Sequence, residues 1–310
     1  MHIDTSLPTA IGCKVSGIDG LTASPDEIRQ IKDLLYQYKI IVLKGQNLSE
    51  KQFCDLSARL GLPIPYLQEN YHHPNYPLIF VSSNILQNGK KFGVARTGGY
   101  WHSDTSFLQE PVALTMLYPQ VIPIHSHRTT LYIDLEKALN DMPTRLRSRI
   151  ENCRFIHSGK WKYKVRETDV GLDLSEILGI IHQVQPPVIH PAIIRHPVTG
   201  SEVLFVSRGF TIGIEGKGTD ESKELLDEVF DFVEQACFIS EFQWELGDII
   251  IWDNRFLTHK AGRLAQANDP VNGDISKEED TMVYRIIVRD GFPLCANLPP
   301  IAHVANTLLA

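Results

Sequence analysis

The sequence predicts a mainly β protein with flanking helices, its core a closed or double-sheet β-barrel such as a jelly roll. Three observations carry this. Short apolar runs of strand character recur from residue 78 to residue 290, and turn residues separate many of them. Helical patterns sit at the front of the chain and in two insertions. The regular strand–helix alternation of a doubly wound α/β sheet is absent.

The elements follow in order. Residues 26–38 (DEIRQIKDLLYQY) put Ile28, Ile31, Leu34 and Leu35 on one face, and Ser24-Pro25 introduces them, which predicts an amphipathic helix. KIIVLKG (39–45) reads as a buried strand ending at Gly45. SEKQFCDLSARLG (49–61) predicts a second helix, with Ser49 as N-cap and Gly61 past its end. Strands are then expected at 78–83, 112–119, 129–135, 191–196, 202–207, 248–253 and 283–290. The helical insertions fall near 136–152 and 220–237. The polar stretch 263–282, with Asp269-Pro270 and Asn272-Gly273 as turn formers, predicts a flexible loop spanning about 261–283. It reads as a solvated surface loop or as a lid that orders over substrate. No internal repeat, low-complexity block or Pro/Ser-rich linker interrupts the chain, so a single domain over 1–310 is expected.

Bulk properties exclude some classes. Of 310 residues 43% are hydrophobic and 22% charged, ordinary for a globular enzyme. The net charge of −7 is spread over short runs with no basic stripe, which argues against nucleic acid as partner. An anionic substrate stays admissible, since a few arginines in a pocket outweigh distant surface charge. Cys13, Cys54, Cys153, Cys237 and Cys295 are scattered and form no CxxC pair, so neither a disulfide framework nor a thiolate metal site is expected. With no basic-then-apolar leader and no apolar run of about 20 residues, a cytoplasmic chain without a membrane span is expected.

The chemistry begins at WHSDTSF (101–107). In an extended chain residues i and i+2 face the same way, so His102 and Asp104 can converge on one cation. Alone, the pair is also what a surface turn would show. The second half is GDIIIWDNRFLTHKAG, a hydrophobic strand that reaches a polar turn and then presents His259. Two histidines and one carboxylate on one face of an octahedral ion leave three positions open, which suits ferrous iron holding an organic co-substrate and O2. By itself His259 would read as a histidine satisfied at a strand end. Arg285, in VYRIIVRDG, opens another apolar strand; a guanidinium facing a pocket needs an anion, and its fork suits a carboxylate. Thr130, in HRTTLYID, could add a hydroxyl to the same carboxylate, or simply pack in its strand.

In combination these residues resemble the TauD/TfdA family of Fe(II)- and 2-oxoglutarate-dependent dioxygenases, from about residue 5 to residue 292. The resemblance implies a double-stranded β-helix (a jelly-roll, cupin-like core) with the metal in its mouth. It implies His102, Asp104 and His259 as iron ligands, with Thr130 and Arg285 holding the distal carboxylate of 2-oxoglutarate. O2 is then the oxidant, and succinate and CO2 are released.

A narrower likeness lies in PYLQENYHHPNYPLIFVSSN, VIPIHSHRTTLYIDL and HSGKWKYKVRETDV, which look like the isonitrile-forming branch of that family. It implies oxidation and decarboxylation of an N-carboxymethyl 3-amino (fatty) acid in natural-product biosynthesis. Tyr66, Tyr71, Arg128 and Lys164 match pocket positions of that branch. Leu67 stands where the branch tends to carry a second tyrosine, and Arg263 stands where it has a histidine, so the pocket departs from the pattern while the metal site does not. Arg289, four residues after Arg285, matches an arginine that binds the substrate's anionic group in sulfonate-cleaving relatives. That keeps open a hydroxylase or a C–S or C–O cleaving enzyme of a small anionic acid. A non-catalytic barrel that binds a small acid and a zinc hydrolase are rivals of another kind. Delivery of substrate by a carrier protein and assembly into a homo-oligomer are left open by the sequence.

Overall fold

The computed structural model describes residues 1–295 apart from 8, 10, 88, 96, 124–126 and 263–278. The chain opens with β1 (His2–Asp4) and β2 (Cys13–Ser16), then α1 (Pro25–Tyr38), β3 (Ile40–Leu43), α2 (Glu50–Leu60) and β4 (Leu62–Ile64). Next come β5 (His72–His73), β6 (Tyr76–Ser83), the small hairpin β7 (Leu86–Gln87) and β8 (Lys90–Lys91), and β9 (Leu114–Val121). β10 (Thr129–Asp134) leads into α3 (Leu135–Asn140), α4 (Thr144–Ile150), β11 (Arg154–His157) and α5 (Leu174–Val184). β12 (Val188–Pro191), β13 (Ile193–Arg195), β14 (Glu202–Leu204), β15 (Thr211–Ile214) and α6 (Thr219–Val233) follow. The last four strands are β16 (Ile239–Gln243), β17 (Ile249–Asp253), β18 (Leu257–Ala261) and β19 (Met282–Arg289).

The two front helices form where their caps place them. Ser24 and Glu27 close a capping box on α1, and Ser49 and Gln52 close another on α2. Each box satisfies two of the backbone donors that a helix start leaves without partners. Both expected helices are therefore found, within a residue of their expected ends.

The main sheet runs in the order β1-β2-β3-β17-β9-β19-β6-β5, with β4 added on β19. A three-stranded sheet, β16-β10-β18, packs against it. Alternation along β17 explains the layering. Ile250 and Trp252 turn toward the small sheet and join Tyr132, Ile133, Phe242 and Leu257 in one core. Ile249 and Ile251 turn the other way, onto Ile31 and Leu35 of α1 and Phe53 and Leu56 of α2. β17 is thus buried on both faces, which is why its sequence is an unbroken apolar run. The result is a double-sheet β core flanked by helices, as expected, with α1 and α2 on the main sheet and α3, α4 and α6 in the core shared with the small sheet.

Three expectations are corrected. The insertion near 136–152 is two helices, because Pro143 disfavours helical backbone at Met142 and restarts the chain at Thr144. The run 191–196 is not one strand: β12 pairs with β11, while β13 pairs with β14. Two partners divide it at Ala192, whose N–H goes to the Cys153 carbonyl and whose carbonyl takes the Phe205 N–H. The expected loop stops short of 282, since Met282 already pairs with Ser83 and Val121. Most of that loop lies outside the described residues. Among the described residues, no helix is long and apolar enough to cross a membrane.

Candidate metal centre

Two backbone segments build the centre. His102 and His259 exchange both main-chain hydrogen bonds, His102 N to His259 O at 2.9 Å and His259 N to His102 O at 2.7 Å. This isolated antiparallel bridge sets the two side chains beside each other, with ring centroids 4.2 Å apart. Asp104, two residues on, returns to the same face. Its Oδ1 lies 3.8 Å from His102 Nε2 and its Oδ2 lies 4.0 Å from His259 Nε2. One ligand atom from each of the three residues falls within 4.8 Å of the others, and all three residues are buried. That is the separation at which two imidazoles and a carboxylate can share one ion.

The donor chemistry fits. The His102 Nδ1 hydrogen points to the Tyr100 carbonyl at 2.7 Å, which leaves the Nε2 lone pair toward the cluster. Burial pushes His102 down against the opposing pull of Asp104. Burial, then the neighbouring His102, pushes His259 well below its ordinary value. Both rings are therefore neutral near pH 7, the form that binds metal. Burial alone would raise the Asp104 carboxyl, but Arg285, His259, His102 and the Thr115 hydroxyl outweigh it and hold it at about 2. The site thus presents an ionised carboxylate between two neutral imidazoles.

A chain of hydrogen bonds aims the carboxylate. The Trp252 indole donates to Asn254 Oδ1 at 3.0 Å, and Asn254 Nδ2 donates to Thr115 Oγ1 at 2.8 Å. The Thr115 hydroxyl then donates to Asp104 Oδ2 at 2.8 Å. Thr115 sits on β9 and Asn254 just after β17, so two central strands reach the ligand. Neither residue is among the expected site residues. The signal was a lone hydroxyl in the apolar run 112–119 and an asparagine in the WDNR turn.

Arg285 projects from β19 into the same cluster, and its Nη1 donates to Asp104 Oδ1 at 2.7 Å. Its guanidinium lies 4.0 Å from the Phe80 ring centroid and 5.2 Å from that of Tyr66. Its Nε is buried with no hydrogen-bond partner among the described residues. Tyr66 meets Tyr71 and Phe80 edge-on, and Tyr71 stacks on Phe80 at 4.5 Å. Tyr66 and Tyr71 are thus brought to the centre.

The remaining expected residues are dispersed. Thr130, on β10, accepts a hydrogen bond from the Trp244 indole at 2.9 Å, and no described contact joins it to Arg285. Arg128 precedes the same strand, where its carbonyl takes the Trp244 N–H. Lys164 Nζ donates to the Ala95 carbonyl at 2.6 Å. Arg289 pairs with Glu110 at 3.3 Å. Arg263 lies outside the described residues.

A second polar cluster lies behind the turn. Arg255 is fully buried and donates to Asp253 and, from Nη2, to Asp290 at 2.6 Å. His196 and Tyr36 complete it through Asp253 and Asp290.

Comparisons with known proteins bear on the family and the fold. A family model described as "Taurine catabolism dioxygenase TauD, TfdA family" matches residues 4–270. An alpha-ketoglutarate-dependent 2,4-dichlorophenoxyacetate dioxygenase of Burkholderia sp. (strain RASC) is 28% identical over 250 residues, 77% of this chain and 82% of that protein. Pentalenolactone F synthase of Streptomyces arenae is 26% identical over 285 residues, covering 88% and 93%. Among solved structures, a taurine dioxygenase from Burkholderia xenovorans superposes with a TM-score of 0.71 at 24% identity, over 96% of this chain and 94% of that one. AAD-2 in complex with Mn(II) and N-oxalylglycine gives 0.74 at 21% identity, over 94% and 100%.

Proposed function

Because the chain belongs to the TauD/TfdA family of dioxygenases, we propose that it oxidises and decarboxylates an N-carboxymethyl 3-amino (fatty) acid to an isonitrile. It is an oxidoreductase that uses Fe(II) and 2-oxoglutarate with O2. The observation that carries the site assignment is the buried His102, Asp104, His259 cluster, which would hold the iron. We assign residues 1–310 to one dioxygenase domain.

Ferrous iron with 2-oxoglutarate and O2 supplies one two-electron oxidation per turnover, leaving succinate and CO2. Two turnovers balance the reaction. The N-carboxymethyl amine, two 2-oxoglutarate and two O2 give the isonitrile, two succinate, three CO2 and two water. The substrate's carboxylate leaves as the third CO2, and its four hydrogens leave in the water.

The residues divide the remaining work. The Tyr100 carbonyl fixes the His102 tautomer, and Thr115 with Asn254 fixes the Asp104 rotamer. Arg285 is the anchor for the 2-oxoglutarate carboxylate, supported by its buried, unsatisfied Nε and by the aromatic rings that keep its guanidinium from water. Thr130, whose hydroxyl accepts from the Trp244 indole, is the second residue assigned to that carboxylate. Tyr66, Tyr71, Arg128, Lys164, Arg263 and Arg289 are assigned to the substrate, whose two carboxylates and one amine suit hydroxyl and cationic partners. Stacked aromatic side chains exclude water from the oxidising face.

A second reading is a 2-oxoglutarate-dependent hydroxylase or C–O or C–S cleaving enzyme of a small anionic acid. It is favoured by relatives named as a dichlorophenoxyacetate dioxygenase, an alkylsulfatase and a sulfate ester dioxygenase.

One experiment separates the readings. Anaerobic Fe(II) and 2-oxoglutarate should give a visible absorption band that His102→Ala abolishes. Air and N-carboxymethyl 3-amino acids of several chain lengths then follow. A product lighter by the carboxylate and four hydrogens supports isonitrile formation. Addition of about 16 mass units, the mass of one oxygen atom, supports hydroxylation. Succinate without either product across the series would overturn the isonitrile assignment.

A further inference from the structure

A cavity of about 280 Å3 lies beside the metal centre. Its inner end is walled by Tyr66, Tyr100, Phe107 and Phe210. Tyr100 and Phe210 also flank His102, with ring centroids 5.0 and 5.9 Å away, and the Tyr66 ring touches the Arg285 guanidinium. The cavity thus shares Tyr66, Tyr100 and Phe210 with the surroundings of the metal centre.

Its outer wall is α5, whose sequence LSEILGIIHQV is apolar on more than one face. Helices of that kind are ordinarily covered. Here only Ile177 and Ile181 are buried, while Leu174 is 67%, Ile180 46% and Val184 74% exposed. Ile177, Ile180, Ile181 and Val184 all line the cavity, together with Leu172 before the helix. Lys162, Arg166 and Asp169 bring charged groups to the same lining.

We propose that this cavity is a tail pocket, and that the substrate carries a straight alkyl chain of about eight carbons lying between α5 and the aromatic wall. The proposal rests on the metal-centre reading above, because the chain's polar head is placed at Tyr66 and Arg285. The size follows from volume. About 150 Å3 accepts one benzene ring, so 280 Å3 holds about a dozen non-hydrogen atoms. Removing part of that for the head leaves a medium-length tail. Short hydrophilic acids would leave the aliphatic wall facing water.

The probe is a series of straight-chain saturated carboxylates of four to fourteen carbons. Binding is measured by calorimetry on the full chain carrying Mn(II) and 2-oxoglutarate without O2. Affinity should rise about fourfold per methylene, then level off near ten carbons as the pocket fills. Ile181→Trp, which pushes an indole into the cavity, should bring the plateau several carbons earlier. A flat series in the parent protein would overturn the proposal, as would an unchanged plateau in folded Ile181→Trp. So would an Ile180→Asp variant that dissociates a dimer without altering the series, since the face would then cover a second copy of the chain. The Fe(II)–2-oxoglutarate absorption band, read separately, keeps the two assignments apart. A band with a flat series removes only the tail pocket, whereas a rising series without a band removes the metal assignment.

Discussion

The Asp104 carboxylate accepts hydrogen bonds from Arg285 and Thr115, and the less conspicuous donor, Thr115, makes the sharpest test. Thr115→Val keeps the shape but removes the donor to Asp104 and the acceptor for Asn254. Loss of such a support weakens metal binding about 10–100-fold, and Fe(II) titration monitored at the 2-oxoglutarate band should show it. The helix and sheet content by circular dichroism should stay unchanged. Arg255 is a different case, a buried charge that Asp253 and Asp290 compensate. Arg255→Leu strands two carboxylates in the core and should cost about 3–5 kcal/mol of stability, read from thermal or urea unfolding. His102, Asp104 and His259 were legible from spacing, because HxD followed by a distal histidine is a chemical pattern rather than a packing one. Thr115 and Asn254 were not, since a hydroxyl within a strand has many uses and its partner lies far away in the chain.

Elements behaved according to how much of their information is local. α1 and α2 carry their own caps and periodicity, and both were placed within a residue. β9, β10, β17 and β19 announce themselves by apolar runs. β18 was only half read, as LTHKA mixes core positions with the ligand and takes its strand character from pairing with β10. α5 was missed although its signals are local, with Asp173 and Glu176 closing a capping box and Ile177 and Ile181 one turn apart on its buried side. Close approach between elements is also invisible in sequence. Gly61, just past α2, sits where a Cβ would lie 2.2 Å from the Arg289 carbonyl of β19. Because the obstacle is backbone, Gly61→Ala must push α2 off the sheet, at a cost of about 1–3 kcal/mol. Differential scanning calorimetry should show a lower Tm with an otherwise normal transition.

Across the whole molecule, the buried network behind the metal centre ties its stability to acidity. Burial would raise the Asp253 carboxyl, but Arg255 and His196 hold it well below the usual range. Its ionised form therefore stabilises the fold fully above the unfolded carboxylate value of about 4, and that contribution is lost as pH falls below it toward the folded value. Tm should be flat from neutral pH to about 5 and decline steeply below 4, and Asp253→Asn should start lower and decline less. The arrangement of the main sheet has another consequence, one that concerns synthesis. β19 lies between β6 and β9, yet it comes after every other strand among the described residues. A nascent chain that has not yet delivered residues 282–289 therefore has two long strands with bare edges, a hazard for pairing with neighbouring chains. Arg285 arrives on that same strand, so the proposed co-substrate anchor and the closure of the sheet become available together. Fragments ending before residue 282 should accumulate as aggregates during translation, however much of the metal centre they already contain.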